Sequence, residues 1–193
     1  MSWLMFFSFA ICFLMGIPLA IVMGITGFAV ILAMGVPLEV VAQRMFTGID
    51  SFPLMAVPFF ILAGDLMNRG GTTIRIIGFA NSLVGHIRGG LAHACVVANM
   101  IFAGISGSSV ADASAIGSIM IPSMEKSGYE LDFSAALNSV AATIGPIIPP
   151  SIIMVIYGVS VNVSVGGLFA AGFLPGIMMG LALMFVVSRV AKK

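Results

Sequence analysis

The chain is a succession of long apolar runs cut by short polar or glycine- and proline-bearing segments, and these runs set its predicted elements. Residues 1–38 carry no charge. A helix over 3–36 would be about 50 Å long at 1.5 Å per residue, more than the ~30 Å hydrocarbon core of a bilayer. Gly16-Ile-Pro18 lies near its middle, where proline removes a backbone donor, so the segment is one long tilted helix or two pieces. Glu39, Arg44 and Asp50 punctuate 39–52, which suits a short interfacial helix or loop, and a second span follows at 53–67 with Pro53 and Pro58 in its early turns. At the end of that span Asp65 and Arg69 stand four apart and pair on one helix face. In 68–88 the residues Ile74, Ile76, Ile77, Phe79, Ala80, Leu83 and Val84 approximate one face of a helix lying along a membrane surface.

From Gly89 the pattern changes. The apolar runs 89–104 and 111–124 would make helices of about 24 and 21 Å, each too short to span comfortably. They are joined by "GISGSSVADAS" (104–114), four serines, two glycines and a carboxylate. Two short helices with a polar tip read as a re-entrant hairpin, since non-helical backbone at membrane depth survives only when buried in protein or lining a watery cavity. The next run, 131–165, is broken by "GPIIPPS" (145–151), whose three prolines cannot continue a helix. It predicts a half-helix to about Thr143, an unwound turn, and a second half-helix from Ser151. A last span covers 172–188. Arg69, Arg75 and Arg88 mark the 68–90 segment as cytoplasmic by the positive-inside rule, and a re-entrant 89–124 then returns the basic C-terminal end to the same side.

Composition narrows the class. The chain is 60% hydrophobic and 8% charged, where soluble domains are about one-quarter charged, and its mean hydropathy is +1.20. It reads as an all-α polytopic membrane protein; the alternating strands of a transmembrane barrel are missing from the pattern. The N-terminus lacks the basic region of a signal peptide, so 1–38 is expected to be structure. A net charge of +1 without a basic run gives no reason to expect a nucleic-acid partner. Cys12 and Cys95 have neither disulfide nor zinc spacing and read as packing residues, as do the fifteen methionines.

The candidate chemistry sits at the two interruptions. Half-helix ends leave N–H or C=O groups without partners; helix N-termini favour anions, while free carbonyls and hydroxyls suit a small hard cation. Two interrupted segments at mid-membrane point to a carrier's site for an anion with coupled sodium. The candidate ion- and substrate-binding residues are Ser106, Gly107, Ser108, Ser109 and Asp112 at the tip, and Thr143, Gly145, Pro149, Pro150 and Ser151 at the turn. Ser106, Ser109 and Gly145 are the sodium candidates. Asp112 has two readings: a capping box in which Ser109 caps the second arm and Asp112 reaches back, or a direct part in ion binding. Ser127-Gly-Tyr-Glu130 reads as a second, structural box. Asn99 and Asn138 read as interhelical hydrogen bonders, and Gly172, Gly176 and Gly180 as a tight helix contact. Two other classes compete. A non-transporting scaffold explains the spans but not the coincident breaks. Gly104-Ile-Ser106-Gly107 also matches the GxSG signature of rhomboid intramembrane serine proteases, yet both histidines, His86 and His93, precede the serine, whereas the rhomboid order places the histidine after it.

"PLEVVAQRMFTGIDSFPLMAVPFFILAGDLMNRGG", "GISGSSVADASAIGSIMIPSM" and "GPIIPPS", in this order, resemble the large membrane (DctM-like) subunit of tripartite ATP-independent periplasmic (TRAP) transporters. The resemblance implies a multi-pass protein of the bacterial inner membrane and an elevator-type secondary transporter driven by sodium, with no cofactor beyond that ion. It implies a small membrane subunit and a periplasmic binding protein that delivers an organic acid such as a C4-dicarboxylate or sialic acid. Family members are about twice as long and carry two inverted repeats. This chain resembles the first repeat with its leading helix, and a second repeat half or another copy is expected to complete the site. The expected division is scaffold helices in 1–67, a cytoplasmic interfacial arm in 68–88, a transport unit in 89–165 (hairpin 89–124, broken helix 131–165) and a scaffold helix in 166–193.

Overall fold

The structure, a computed structural model, describes residues 2–191, and every regular element among them is an α-helix. The chain divides between Ser51 and Phe52 into two compact units. The first holds α1 (Ser2–Leu14), α2 (Leu19–Ala33) and α3 (Leu38–Ile49). The leading segment is therefore two pieces. Gly16 turns left-handed at φ 75, the Ile17 N–H reaches back to the Cys12 carbonyl, and Pro18 caps α2. Gly35 and Pro37 repeat the device before α3. Glycine ends each helix without a Cβ penalty and proline starts the next where its missing N–H costs nothing. At 13 and 15 residues, α1 and α2 are each only about 20 Å long. α1 packs on α2, and both leave most large apolar side chains exposed, as suits a chain solvated by hydrocarbon.

The second unit holds α4 (Phe52–Arg69), α5 (Thr72–Val84), α6 (Gly90–Ser106), α7 (Ser109–Lys126), α8 (Leu131–Ala142), α9 (Ile152–Val161) and α10 (Val165–Val190). α6 is its axis, packing against α4, α5, α7, α8 and α10. Its inward positions are small (Ala92, Ala94, Cys95, Ala98, Ala103, all essentially inaccessible), which lets neighbouring backbones come close, and Phe102, Ile116, Met120 and Met124 fill the space between. Among the described residues α10 alone is long and apolar enough to cross a membrane as one uninterrupted helix.

Three expectations are corrected here. The apolar residues of α5 do not share one face: Ile76 and Ala80, with Ile77 and Val84, pack into the core beside α6, while Ile74, Phe79 and Leu83 point outward. The break between the hairpin arms is two residues, Gly107 and Ser108, because Ser106 and Ser109–Ala111 are themselves helical. The second capping box does not form. Ser127 follows α7 and donates to the Ser123 carbonyl, while Glu130, the residue before α8, makes no side-chain cap.

Candidate functional site

The tip is built by the change of direction from α6 to α7. Gly107 takes the left-handed conformation (φ 59) and its N–H closes α6 on the Ala103 carbonyl at 3.2 Å. Ser108 is extended and caps α7, its hydroxyl accepting from the Ala111 N–H at 3.5 Å. The cap is thus Ser108, not Ser109. With that register Asp112 falls beyond the third helical position, and the predicted box between Ser109 and Asp112 is not made. Asp112 is instead fully buried and accepts a hydrogen bond on Oδ1 from the Ser106 hydroxyl, which in turn accepts from the Ser108 N–H at 3.1 Å.

The proline segment unwinds as its composition requires. α8 stops at Ala142, turns follow through Ile148, the Pro149–Pro150 bond is cis, and Ser151 restarts the helix by accepting from the Met154 N–H at 3.2 Å. Tip and turn meet. A Cβ on Gly107 would lie 2.6 Å from the Pro150 carbonyl oxygen and 3.1 Å from the Ile152 nitrogen, and one on Gly104 would lie 3.6 Å from the Pro149 carbonyl oxygen. At a second contact Gly145 lies against Asp112 Oδ2, so closely that any side chain there would collide with the carboxylate. That Oδ2 is buried without a hydrogen-bond partner.

Of the ten candidates, the structure brings Ser106, Asp112 and Gly145 into one cluster, and Gly107, Pro149, Pro150 and Ser151 into the contact beside it. Ser108 serves as cap. Ser109 is half-buried with no side-chain hydrogen bond, and Thr143 is exposed and donates to the Val140 carbonyl of its own helix at 2.7 Å, so neither joins the cluster. The arrangement offers an unpaired carboxyl oxygen, a hydroxyl and the Pro149 and Pro150 backbone carbonyls, with no basic side chain in the contact. A buried carboxylate oxygen left unpaired is costly, and a proton or a hard cation relieves it.

Amides hold the frame. Asn99 of α6 donates to Asn138 Oδ1 of α8 at 3.3 Å, and Asn138 donates to the Ala113 carbonyl of α7 at 2.9 Å. Gly117 is small because the Asn138 amide occupies the place of its side chain. Asn138→Leu is therefore expected to loosen all three helices, lowering stability in detergent by about 1–2 kcal/mol, with thermal unfolding as the measurement. The glycine ladder of α10 lies on the same frame: Gly172 faces Ile147 and Met154, Gly176 faces Ile148, and Gly180 faces Met100. His93 is committed elsewhere, with Nδ1 3.0 Å from the Gly89 carbonyl and Nε2 3.0 Å from the Ser188 hydroxyl. It is no base for Ser106, whose hydroxyl serves Asp112. Asp65 and Arg69 pair at 2.9 Å on the surface, where such a pair contributes little.

Sequence reasoning missed one feature. A cavity of about 510 Å³ opens beside the tip between α4 and α7, with Asp65, Asn68, Ser106, Ser108, Ser114 and Ser118 among its lining residues. The four-residue spacing of Ser114 and Ser118, which puts both hydroxyls on one face of α7, was its signal.

Residues 6–193 match the family described as tripartite ATP-independent periplasmic transporter, DctM component. The chain is 47% identical to a sialic acid TRAP transporter permease protein of Haemophilus influenzae, over 80% of this chain and 25% of that protein. It is 49% identical both to a sialic acid TRAP transporter large permease protein of Vibrio cholerae and to a C4-dicarboxylate TRAP transporter large permease protein of Pseudomonas aeruginosa, each over 79% of this chain and 36% of the relative. The chain thus spans between 25% and 36% of the length of these three. All are named as transporter permeases, and the serine-protease alternative falls with that: the chain is not an enzyme. It is an all-helical membrane protein that belongs to the DctM family of TRAP transporter components.

Proposed function

We propose that the chain forms part of a sodium-coupled secondary transporter that takes up an organic acid across the bacterial inner membrane. A periplasmic binding protein would deliver the acid, and a small membrane subunit would complete the permease. The observation that carries the reading is the meeting of two helix interruptions around a buried carboxylate with one unpaired oxygen. In a carrier such interruptions hold the coupling ion by unwound carbonyls and the substrate by half-helix N-termini. The N-termini of α7 and α9, each capped by a serine, both lie at this contact and favour a carboxylate nearby. Relatives that carry sialic acid or C4-dicarboxylates agree on a carboxylate as the common group.

In this mechanism α6 and α7 form a re-entrant hairpin that moves with α8 and α9 as one body, carrying ion and acid together. The close keying of the α10 glycines onto Met100, Ile147, Ile148 and Met154 supports a reading in which α10 travels with that body. A second repeat half, supplied in trans or by another copy, closes the site from the opposite side. Each net positive charge moved through 100 mV contributes about 2.3 kcal/mol, so sodium taken in excess of the substrate's charge drives accumulation. The test is uptake by the assembled permease in proteoliposomes, with the binding protein and a labelled sialic acid or C4-dicarboxylate outside. An inward sodium gradient should start accumulation and its collapse should stop it. Uptake indifferent to sodium would refute the coupling.

A further inference from the structure

We infer that the cavity between α4 and α7 is a vestibule through which a monovalent cation reaches the tip, and that Asp65 is the residue that attracts it. This deepens the reading of the tip as a cation site and rests on it. The cavity's two walls differ in origin but agree in chemistry. α4 supplies Asp65 and Asn68; α6 and α7 supply the hydroxyls of Ser106, Ser108, Ser114 and Ser118. Among its lining residues there is one formal charge, and it is negative. Oxygen groups of this kind replace the hydration shell of a hard cation.

The cavity also leads somewhere. α4 closes on the tip at Gly64, where a Cβ would stand 3.8 Å from the Ser106 Cα, so Asp65 follows directly on the point of approach. Ser106 lines the cavity and hydrogen-bonds Asp112, whose second oxygen is buried and unpaired. The polar wall of the cavity therefore runs from a half-exposed carboxylate, along serine hydroxyls, to Ser106, which bonds the buried carboxyl group of Asp112. Arg69 does not line the cavity; it pairs with Asp65 from outside with its side chain 79% exposed, where solvent screens it. The Asp65 charge faces a concave, partly apolar wall that includes Phe60 and Phe102, and such walls focus a field and raise the local counter-ion concentration.

The experiment measures sodium activation of uptake by the assembled permease in proteoliposomes, at saturating substrate. Asp65→Asn should raise half-saturating sodium about three- to tenfold with little change in maximal rate, and Asp65→Glu should restore it. The difference between Asp65→Asn and the parent should shrink as ionic strength is raised with choline chloride, which a packing defect would not do. Arg69→Gln, which removes the ion pair but keeps the carboxylate, should leave half-saturating sodium no higher. An unchanged sodium requirement in Asp65→Asn, or an equal rise in Arg69→Gln, overturns the vestibule. Ser106→Ala is run beside them: if it also leaves sodium activation unchanged, the cation reading of the tip itself fails, whereas a rise in Ser106→Ala alone removes only the vestibule.

Discussion

Replacing Gly107 with alanine is expected to reduce uptake by the assembled permease by about thirtyfold or more while the protein still inserts. Two costs combine. The position is left-handed at φ 59, and a side chain there costs about 1–2 kcal/mol. The new methyl group would then stand 2.6 Å from the Pro150 carbonyl oxygen and 3.1 Å from the Ile152 nitrogen, both backbone atoms of a turn that cannot swing aside as a flexible side chain can. Overpacking of this kind costs typically about 1–3 kcal/mol. Together they move the tip off the turn, and at 1.4 kcal/mol per factor of ten the population of the assembled site falls accordingly. Gly128→Ala is the control. Its φ of 90 carries the same backbone strain, but nothing lies within contact of an added Cβ, so it should lower stability modestly and leave uptake at saturating sodium near that of the parent. Equal behaviour of the two variants would mean that the tip–turn contact has no part in transport.

The second large effect is expected at Asp112. Asp112→Asn preserves shape and keeps an acceptor for the Ser106 hydroxyl, but it turns an amide donor toward the space beside Gly145 where the unpaired oxygen lay. A cation held there loses a negative ligand and meets an N–H in its place, and sodium-dependent uptake should fall by about a hundredfold or more, since leaving a buried charge without its partner costs about 3–5 kcal/mol. Stability supplies an independent reading. A ligand at one hundred times its dissociation constant stabilises the folded state by about 2.7 kcal/mol. The parent should therefore melt at rising temperature as sodium replaces choline, and Asp112→Asn should melt at one temperature throughout. In choline alone the variant should be no less stable than the parent, because the substitution removes an uncompensated carboxylate. Sodium that stabilises Asp112→Asn as much as the parent would show that the ion binds elsewhere.

Much of the frame was legible because it is written in backbone chemistry. "GPIIPPS" cannot be helical, and the half-helix ends at Ala142 and restarts after Ser151 close to where the prolines demand. Gly16 and Pro18 likewise mark a break, though sequence alone left open whether the chain parts there or only tilts. The glycine ladder and the two asparagines behave as small-residue and amide contacts do between membrane helices. What was not legible depends on register and on partners. A one-residue shift of the cap from Ser109 to Ser108 leaves the motif looking the same, yet it turns Asp112 from a capping residue into a buried acceptor for Ser106. Thr143 sits beside the break in sequence and faces outward in space. Ile74 and Phe79 share hydrophobicity with Ile76 and Ala80 but not their neighbours, which come from α6, a helix still ahead in the chain. Asp65 looked complete with Arg69, because the cavity on its other side is made by α7, some forty residues on.

The central claim is that the hairpin tip rests on the unwound turn. Its most direct test is a cysteine pair at 104 and 149, placed in the assembled permease after Cys12 and Cys95 are changed to alanine, with cross-linking in native membranes by a short bifunctional thiol reagent. Gly104 approaches the Pro149 carbonyl to van der Waals distance, so the pair should cross-link rapidly within one chain, and a control pair at 104 and 128 should not. Absence of the 104–149 cross-link, with both thiols still reactive singly, would contradict the account.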